Sequence, residues 1–188
     1  MTFDYSWTLT LNKWGASYPA LIEFLGNTLV YILLLLGALF ILQQNYSKHS
    51  GTFTVAKFCR SLISDGILNY SIPLGISVIF SEGISAVINR ARPFVTHKDI
   101  HLLFPHSADG GMPSHHVLFM VALAACVMHS NKKIGVLFLI LAAISGIARV
   151  AAGIHYPSDI AVGGIVGFAL VFLYQKTLPK VNFLHKYP

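Results

Sequence analysis

Charge is what this sequence has least of. Asp, Glu, Lys and Arg make up 11% of its 188 residues, while 55% are hydrophobic, against roughly 25% charged and 45–50% apolar in a soluble domain. That balance argues against a water-soluble globule and makes a polytopic membrane protein the default. Cysteine is scarce too. Cys59 and Cys126 lie far apart, which argues against a disulfide framework, a metal knuckle or redox chemistry. Basic runs are missing: none is longer than Lys132-Lys133, so the net charge of +6 has no segment to grip a nucleic-acid backbone and is read as membrane topology. The opening residues MTFDYSWTLTLNKW hold an early acid and no continuous apolar core. They lack the form of a cleaved secretory signal, so the first long apolar segment is expected to stay as an anchor. Repeats and low-complexity segments are absent, and the length suits one membrane-embedded domain over residues 1–188.

Long uncharged windows are present. Phe24 to Gln43 is 20 residues, about 30 Å as a helix and enough to cross a hydrocarbon core. Gly66 to Asn89, interrupted by Glu82, predicts a second span, and Ser114 to Asn131 a third. Ile134 to Ala148 and Ile160 to Gln175 predict two more, at about 23 Å each and short of the core, which places Arg149 and Asp159 near a membrane boundary. The expected fold class is an all-α bundle of five, at most six, transmembrane helices with an outward-facing active site. Residues 1–18, with Phe3, Trp7, Leu9, Leu11 and Trp14 among Asp4, Asn12 and Lys13, read as an interfacial segment.

Cations divide unequally across these spans. Lys48, Lys57, Arg60, Lys132, Lys133, Lys176, Lys180 and Lys186 share one face, and Lys13, Arg90, Arg92, Lys98 and Arg149 the other. The positive-inside bias puts the first group in the cytoplasm and turns residues 90–113 and 151–158 outward. Those two segments and their borders hold three of the four arginines and six of the nine histidines. Taken singly, each reads as a snorkelling cation or headgroup contact. Together, arginines at helix ends, Pro-Ser at a helix start and His four residues before Asp all favour phosphate.

Arg92-Pro93, then Pro113-Ser114-x-His116, then Arg149-x5-His155-x3-Asp159 resemble the three-part signature of the type 2 phosphatidic acid phosphatase superfamily. RPFVTH, FPHSAD and PSHH look most like the bacterial undecaprenyl diphosphate phosphatases that recycle the cell-wall lipid carrier. The resemblance implies a metal-independent phosphatase of the bacterial cytoplasmic membrane that needs no cofactor. Its substrate would be a lipid phosphate or diphosphate in the bilayer. His155 would be the nucleophile, Asp159 would hold its other ring nitrogen, and His116 would protonate the departing oxygen. Arg92, Arg149, Ser114 and the N–H groups after it, including that of His115, would hold the phosphoryl oxygens. The match departs at Ser85, where the superfamily usually has lysine, and at His115, where glycine is common.

Arg90 and Lys98 are additional candidates for the missing cation, with Arg90 equally readable as a headgroup anchor. Glu82, an intramembrane carboxylate, is a functional candidate by default or an ion-pair partner of Arg90 or another bundle cation. His97, His101, His106 and Asp109 shape a headgroup pocket or are solvated loop residues, and composition favours the second. The segment Tyr156 to Asp159 also reads as a helix start, capped by Ser158 or Asp159 and stiffened by Pro157. Two other classes compete. A zinc-handling membrane protein would use His101, His106, Asp109, His115 and His116, although arginines nearby repel a cation. A transporter or flippase would spread polar residues through the midplane, whereas these cluster at one face.

Overall fold

The computed structural model describes residues 2–48 and 69–177, and every regular element among them is a helix. Helix α1 spans Phe3–Gly15. Helix α2, Pro19–Glu23, passes through a π-helical turn at Phe24–Thr28 into α3, Leu29–Lys48. There follow α4 (Ile72–Ile88), α5 (Pro93–Thr96), α6 (His115–Ser130), α7 (Lys132–Ala151) and α8 (Pro157–Thr177). Lys57, Cys59, Arg60 and Asp65, as well as the first residues of the expected second span and Lys180, His185 and Lys186, lie outside the described residues.

Among the described residues, four helical stretches are long and apolar enough to cross a membrane: Pro19–Gln44, Asn69–Thr96, Lys132–Ala151 and Pro157–Thr177. The third expected span, α6, has 16 residues, about 24 Å. It is the central helix, buried continuously from Val117 to Val127 except at Phe119, so neighbouring helices rather than lipid surround it. The last two spans are longer than expected, at 20 and 21 residues. Asn131 starts α7 by accepting from the N–H groups of Lys133 and Ile134, and the helix continues past Arg149 because that side chain finds partners inside the protein.

Small residues set the closest helix contacts. A Cβ on Gly163 would lie 2.9 Å from the Ser114 carbonyl, and one on Gly167 would meet the backbone of Leu118. This small-xxx-small edge lets α8 press on α6 and places the starts of the two helices side by side. At the other side, α7 is followed, after Ala152, by Gly153, whose φ of +76° suits glycine. The turn brings the Gly153 and Ala152 carbonyls to the N–H groups of Phe94 and Leu103, which tie the 90–113 loop to residues 151–158. Helix α1 also belongs to this end. Thr8, Asn12 and Gly15 are buried while Phe3, Trp7 and Trp14 are exposed, and Asn12 bonds the backbone of both His101 and Ala151. By chain direction, Lys132, Lys133 and Lys176 lie at the opposite end.

Candidate active site

Backbone geometry aims the first arginine. Asn89 ends α4 in the left-handed region, and Pro93 holds the preceding Arg92 extended, at φ −74° and ψ 155°. The Arg92 side chain is buried. Arg149 enters from the last turn of α7, and His155 sits in the short connection to α8.

His155 is 2% exposed, and its two ring nitrogens have distinct partners. Nδ1 lies 2.8 Å from the Gly111 carbonyl, which only accepts, so this nitrogen carries the proton. Nε2 lies 3.3 Å from Nη1 of Arg92, which only donates, so the lone pair is there. Burial, Arg149 and Arg92 together hold the ring well below the ordinary histidine pKa, while the Gly111 bond opposes them. The result is a neutral imidazole whose lone pair faces an arginine.

Asp159 has a different geometry from the one the resemblance implies. Its Oδ2 is 3.7 Å from His155 Nδ1, beyond hydrogen-bond length, and the Gly111 carbonyl takes that proton instead. The short contacts of Asp159 run from Tyr156 N–H to Oδ2 and from Arg90 to Oδ1, both 2.8 Å. The Asp159 N–H in turn bonds the Tyr156 carbonyl. That reciprocal pair is a capping arrangement at the start of α8, so the helix-start reading of this segment also holds. The Asp159 carbonyl accepts from Ser114 N–H at 3.1 Å, linking the second and third motifs.

Arg92 gives Nε and Nη2 to Asp109 Oδ1 at 3.1 and 2.6 Å. Arg149, 1% exposed, gives Nη1 to the Gly26 carbonyl at 2.9 Å and Nη2 to His106 Nε2 at 3.0 Å. Gly26 lies inside the π-helical turn, an irregularity often found at functional sites. Arg149 Nε and Ser114 Oγ are buried with no hydrogen-bond partner. His106, half-buried, is 6.4 Å from the His155 ring, centroid to centroid. Burial is the main cause that lowers the pKa of its ring.

The remaining candidates separate. Arg90 turns from His155 and bonds Asp4, Ser158 and Asp159. Lys98 is exposed. Glu82 meets His115 Nδ1 at 3.3 Å, so its partner is not Arg90. His115 and His116 occupy the first turn of α6. Ser85 lies directly under the loop, since a Cβ on Gly110 would come within 2.9 Å of its hydroxyl. Among the described residues, no three His, Cys, Asp or Glu side chains converge as a metal-binding group, so the residues of the zinc reading are not gathered. His106 and Asp109, read from the sequence as headgroup-pocket or solvated loop residues, lie at the site, and Gly111, which was not singled out, joins them. The sequence signal for His106 and Asp109 was their place in the FPHSAD run, and Gly111 lies two residues beyond it.

The His155 environment has a pH consequence. An unfolded histidine takes up a proton near pH 6.5, whereas buried His155 resists it. Folding stability from this group is therefore lost as pH falls through about 6.5. Nitrogen-15 NMR of histidine-labelled protein should show His155 neutral at about pH 6, with the proton on Nδ1. A protonated ring there would contradict the assignment.

Similarity to known proteins agrees with these motifs. Residues 66–183 match the PAP2 superfamily model. The undecaprenyl-diphosphatase BcrC of Bacillus subtilis is 35% identical over 91 residues, covering 48% of this chain and 47% of that protein. The chain spans about half the length of the curated relatives it matches. Its fold is similar to that of Aquifex aeolicus LpxE, with a TM-score of 0.71 at 20% identity over 94% of this chain and 96% of the other. It also resembles the transmembrane PAP2-type phosphatidylglycerolphosphate phosphatase of Bacillus subtilis, with a TM-score of 0.64 at 19% identity over 95% and 87%. With the three motifs gathered at one end of a multi-pass helix bundle and more than half of the sequence matched, the chain belongs to the PAP2 superfamily.

Proposed function

We propose that this protein removes the terminal phosphate of a membrane lipid diphosphate, converting undecaprenyl diphosphate to undecaprenyl phosphate through a phosphohistidine at His155. The observation that carries the reading is the buried, neutral His155 whose Nε2 lone pair lies 3.3 Å from Arg92. Nε2 attacks the terminal phosphorus, a P–N bond forms, and the bond to the bridging oxygen breaks. His116 gives the leaving lipid phosphate a proton. Water, deprotonated by the same ring, then attacks phosphorus, releases inorganic phosphate and restores the lone pair.

Arg92, Arg149, Ser114 and the N–H groups at the start of α6 meet the charge on the phosphoryl oxygens. A phosphoryl oxygen entering the Arg92 fork displaces Asp109, which accepts from the same two nitrogens. The Gly111 carbonyl keeps the nucleophilic tautomer. Asp159 stabilises the positive ring from 3.7 Å. The prenyl tail stays in the bilayer while the diphosphate reaches the helix ends.

The test is phosphate release in detergent with a chelator present, comparing undecaprenyl diphosphate with phosphatidylglycerol phosphate, phosphatidate and a lipid A phosphate. Fastest turnover of undecaprenyl diphosphate supports the reading. Preference for another lipid would change the substrate, and loss of activity with chelator would favour a metal enzyme.

The adjacent histidines should behave differently. Side chains one residue apart on a helix diverge by about 100°, and Glu82 already engages His115. His116→Ala should lower turnover of a lipid substrate by about 10² to 10⁴, the usual range for a general acid. His115→Ala should lose little. An aryl phosphate that departs without a proton should shrink the His116 defect, provided phosphohistidine formation limits the rate. Equal losses at both positions would contradict the assignment of the acid.

The same reading expects the bacterial cytoplasmic membrane with the site facing outward, because the larger group of cations lies at the opposite helix ends. A fluorescent protein fused after Lys180 should glow, and a periplasmic reporter inserted near Lys98 should be active. The reverse pattern would remove the carrier-recycling role.

A further inference from the structure

The cluster behind His155 contains a residue from the far end of the sequence. Asp4, in the first turn of α1, accepts from Ser158 N–H at 3.1 Å, Ser158 Oγ at 2.6 Å and Arg90 Nη2 at 2.8 Å. Arg90 gives its other terminal nitrogen to Asp159 at 2.8 Å and Ser158 Oγ at 2.6 Å, and lies 4.1 Å over the Tyr156 ring. One guanidinium therefore bridges two carboxylates, one of them fully buried. Burial raises the Asp4 carboxyl, but bonds from Ser158 and Arg90 outweigh it and hold the pKa below the ordinary aspartate value.

We propose that Asp4 is a positioning residue for the active site, fixing through Arg90 and Ser158 the turn that carries His155. The proposal rests on the reading of His155 as nucleophile. Two tasks meet in Asp4. It satisfies an N–H group at the start of α8, where a carboxylate is favoured. It also holds Arg90 in a pose that leaves Asp159 Oδ2 for the N–H of Tyr156, the residue next to His155.

In Asp4→Asn one amide oxygen replaces the two carboxylate oxygens that Ser158 and Arg90 share, so the ion pair is lost and Arg90 is free to turn both terminal nitrogens toward Asp159. Asp159 is then drawn from Tyr156, and the His155 ring shifts relative to Gly111 and Arg92. A misplacement of about 1 Å can cost roughly 10²-fold in rate, so a smaller shift costs about tenfold. Phosphate binding by Arg92 and Arg149 is left intact. The loss therefore falls on kcat and not on KM.

The experiment compares Asp4→Asn with Tyr5→Phe. Tyr5 also docks α1 on the outer loop, but its hydroxyl bonds Asp99 and not Arg90 or Ser158. Asp4→Asn should lower kcat by about tenfold with KM within about twofold, while Tyr5→Phe keeps both. The His155 Nδ1–H proton resonance should be retained in Tyr5→Phe and shifted or lost through exchange in Asp4→Asn. An unchanged resonance in Asp4→Asn, or equal kcat losses in the two variants, would overturn the proposal. The resonance needs no turnover. A wild type inactive on every lipid therefore overturns the phosphatase reading, while the resonance still decides the placement of His155.

Discussion

His155→Ala should abolish turnover, with a loss of roughly 10⁴-fold or more, while the protein still folds and inserts. The ring occupies a buried slot beside Arg92 and Gly111, and alanine removes the lone pair without adding bulk. His106 does not substitute, because its Nε2 is engaged by Arg149 and its ring centroid lies 6.4 Å away. The check is phosphate release beside thermal unfolding in the same detergent. Substantial activity in a folded variant would remove the covalent route.

Arg149→Lys should lose about 10² to 10³ in kcat/KM although it conserves charge. Two terminal nitrogens of Arg149 reach Gly26 and His106 in different directions, and its Nε is buried without a protein partner. A phosphoryl oxygen would provide one. Lysine offers one ammonium on an unbranched stem, so it cannot span the Gly26 and His106 directions and also reach phosphate. Steady-state kinetics should show the loss with the melting temperature little changed. A variant within about threefold of wild type would mean that Arg149 supplies charge without geometry.

The membrane helices were legible because apolar windows report spans directly, but their ends were less so. Arg149 lies in the last turn of its span, and the chain buries it by turning the Gly26 carbonyl out of a π-helical turn, which no local pattern announces. Helix α6, the third expected span, reads as a span by hydropathy, although its 16 residues are enclosed by other helices. In α1, polar Thr8 and Asn12 face inward against backbone groups, so its buried face looked interfacial. Motif spacing singled out Arg92, Ser114, Arg149, His155 and Asp159 because each is anchored to a helix end. His106, Asp109, Gly111 and Asp4 come together only through loop and interhelical contacts, which spacing does not encode. Arg90 was readable as a phosphate ligand by proximity in sequence, and its commitment to Asp4 and Asp159 depends on the packing of α1.

The most direct test of the phosphohistidine claim is to quench the wild type during turnover of lipid diphosphate labelled in its terminal phosphate. Mass spectrometry of the labelled peptide then locates the group. The account predicts acid-labile, base-stable phosphate on His155, absent from His155→Ala. Turnover with phosphate on another residue, or with none trapped under conditions that accumulate the intermediate, would contradict it.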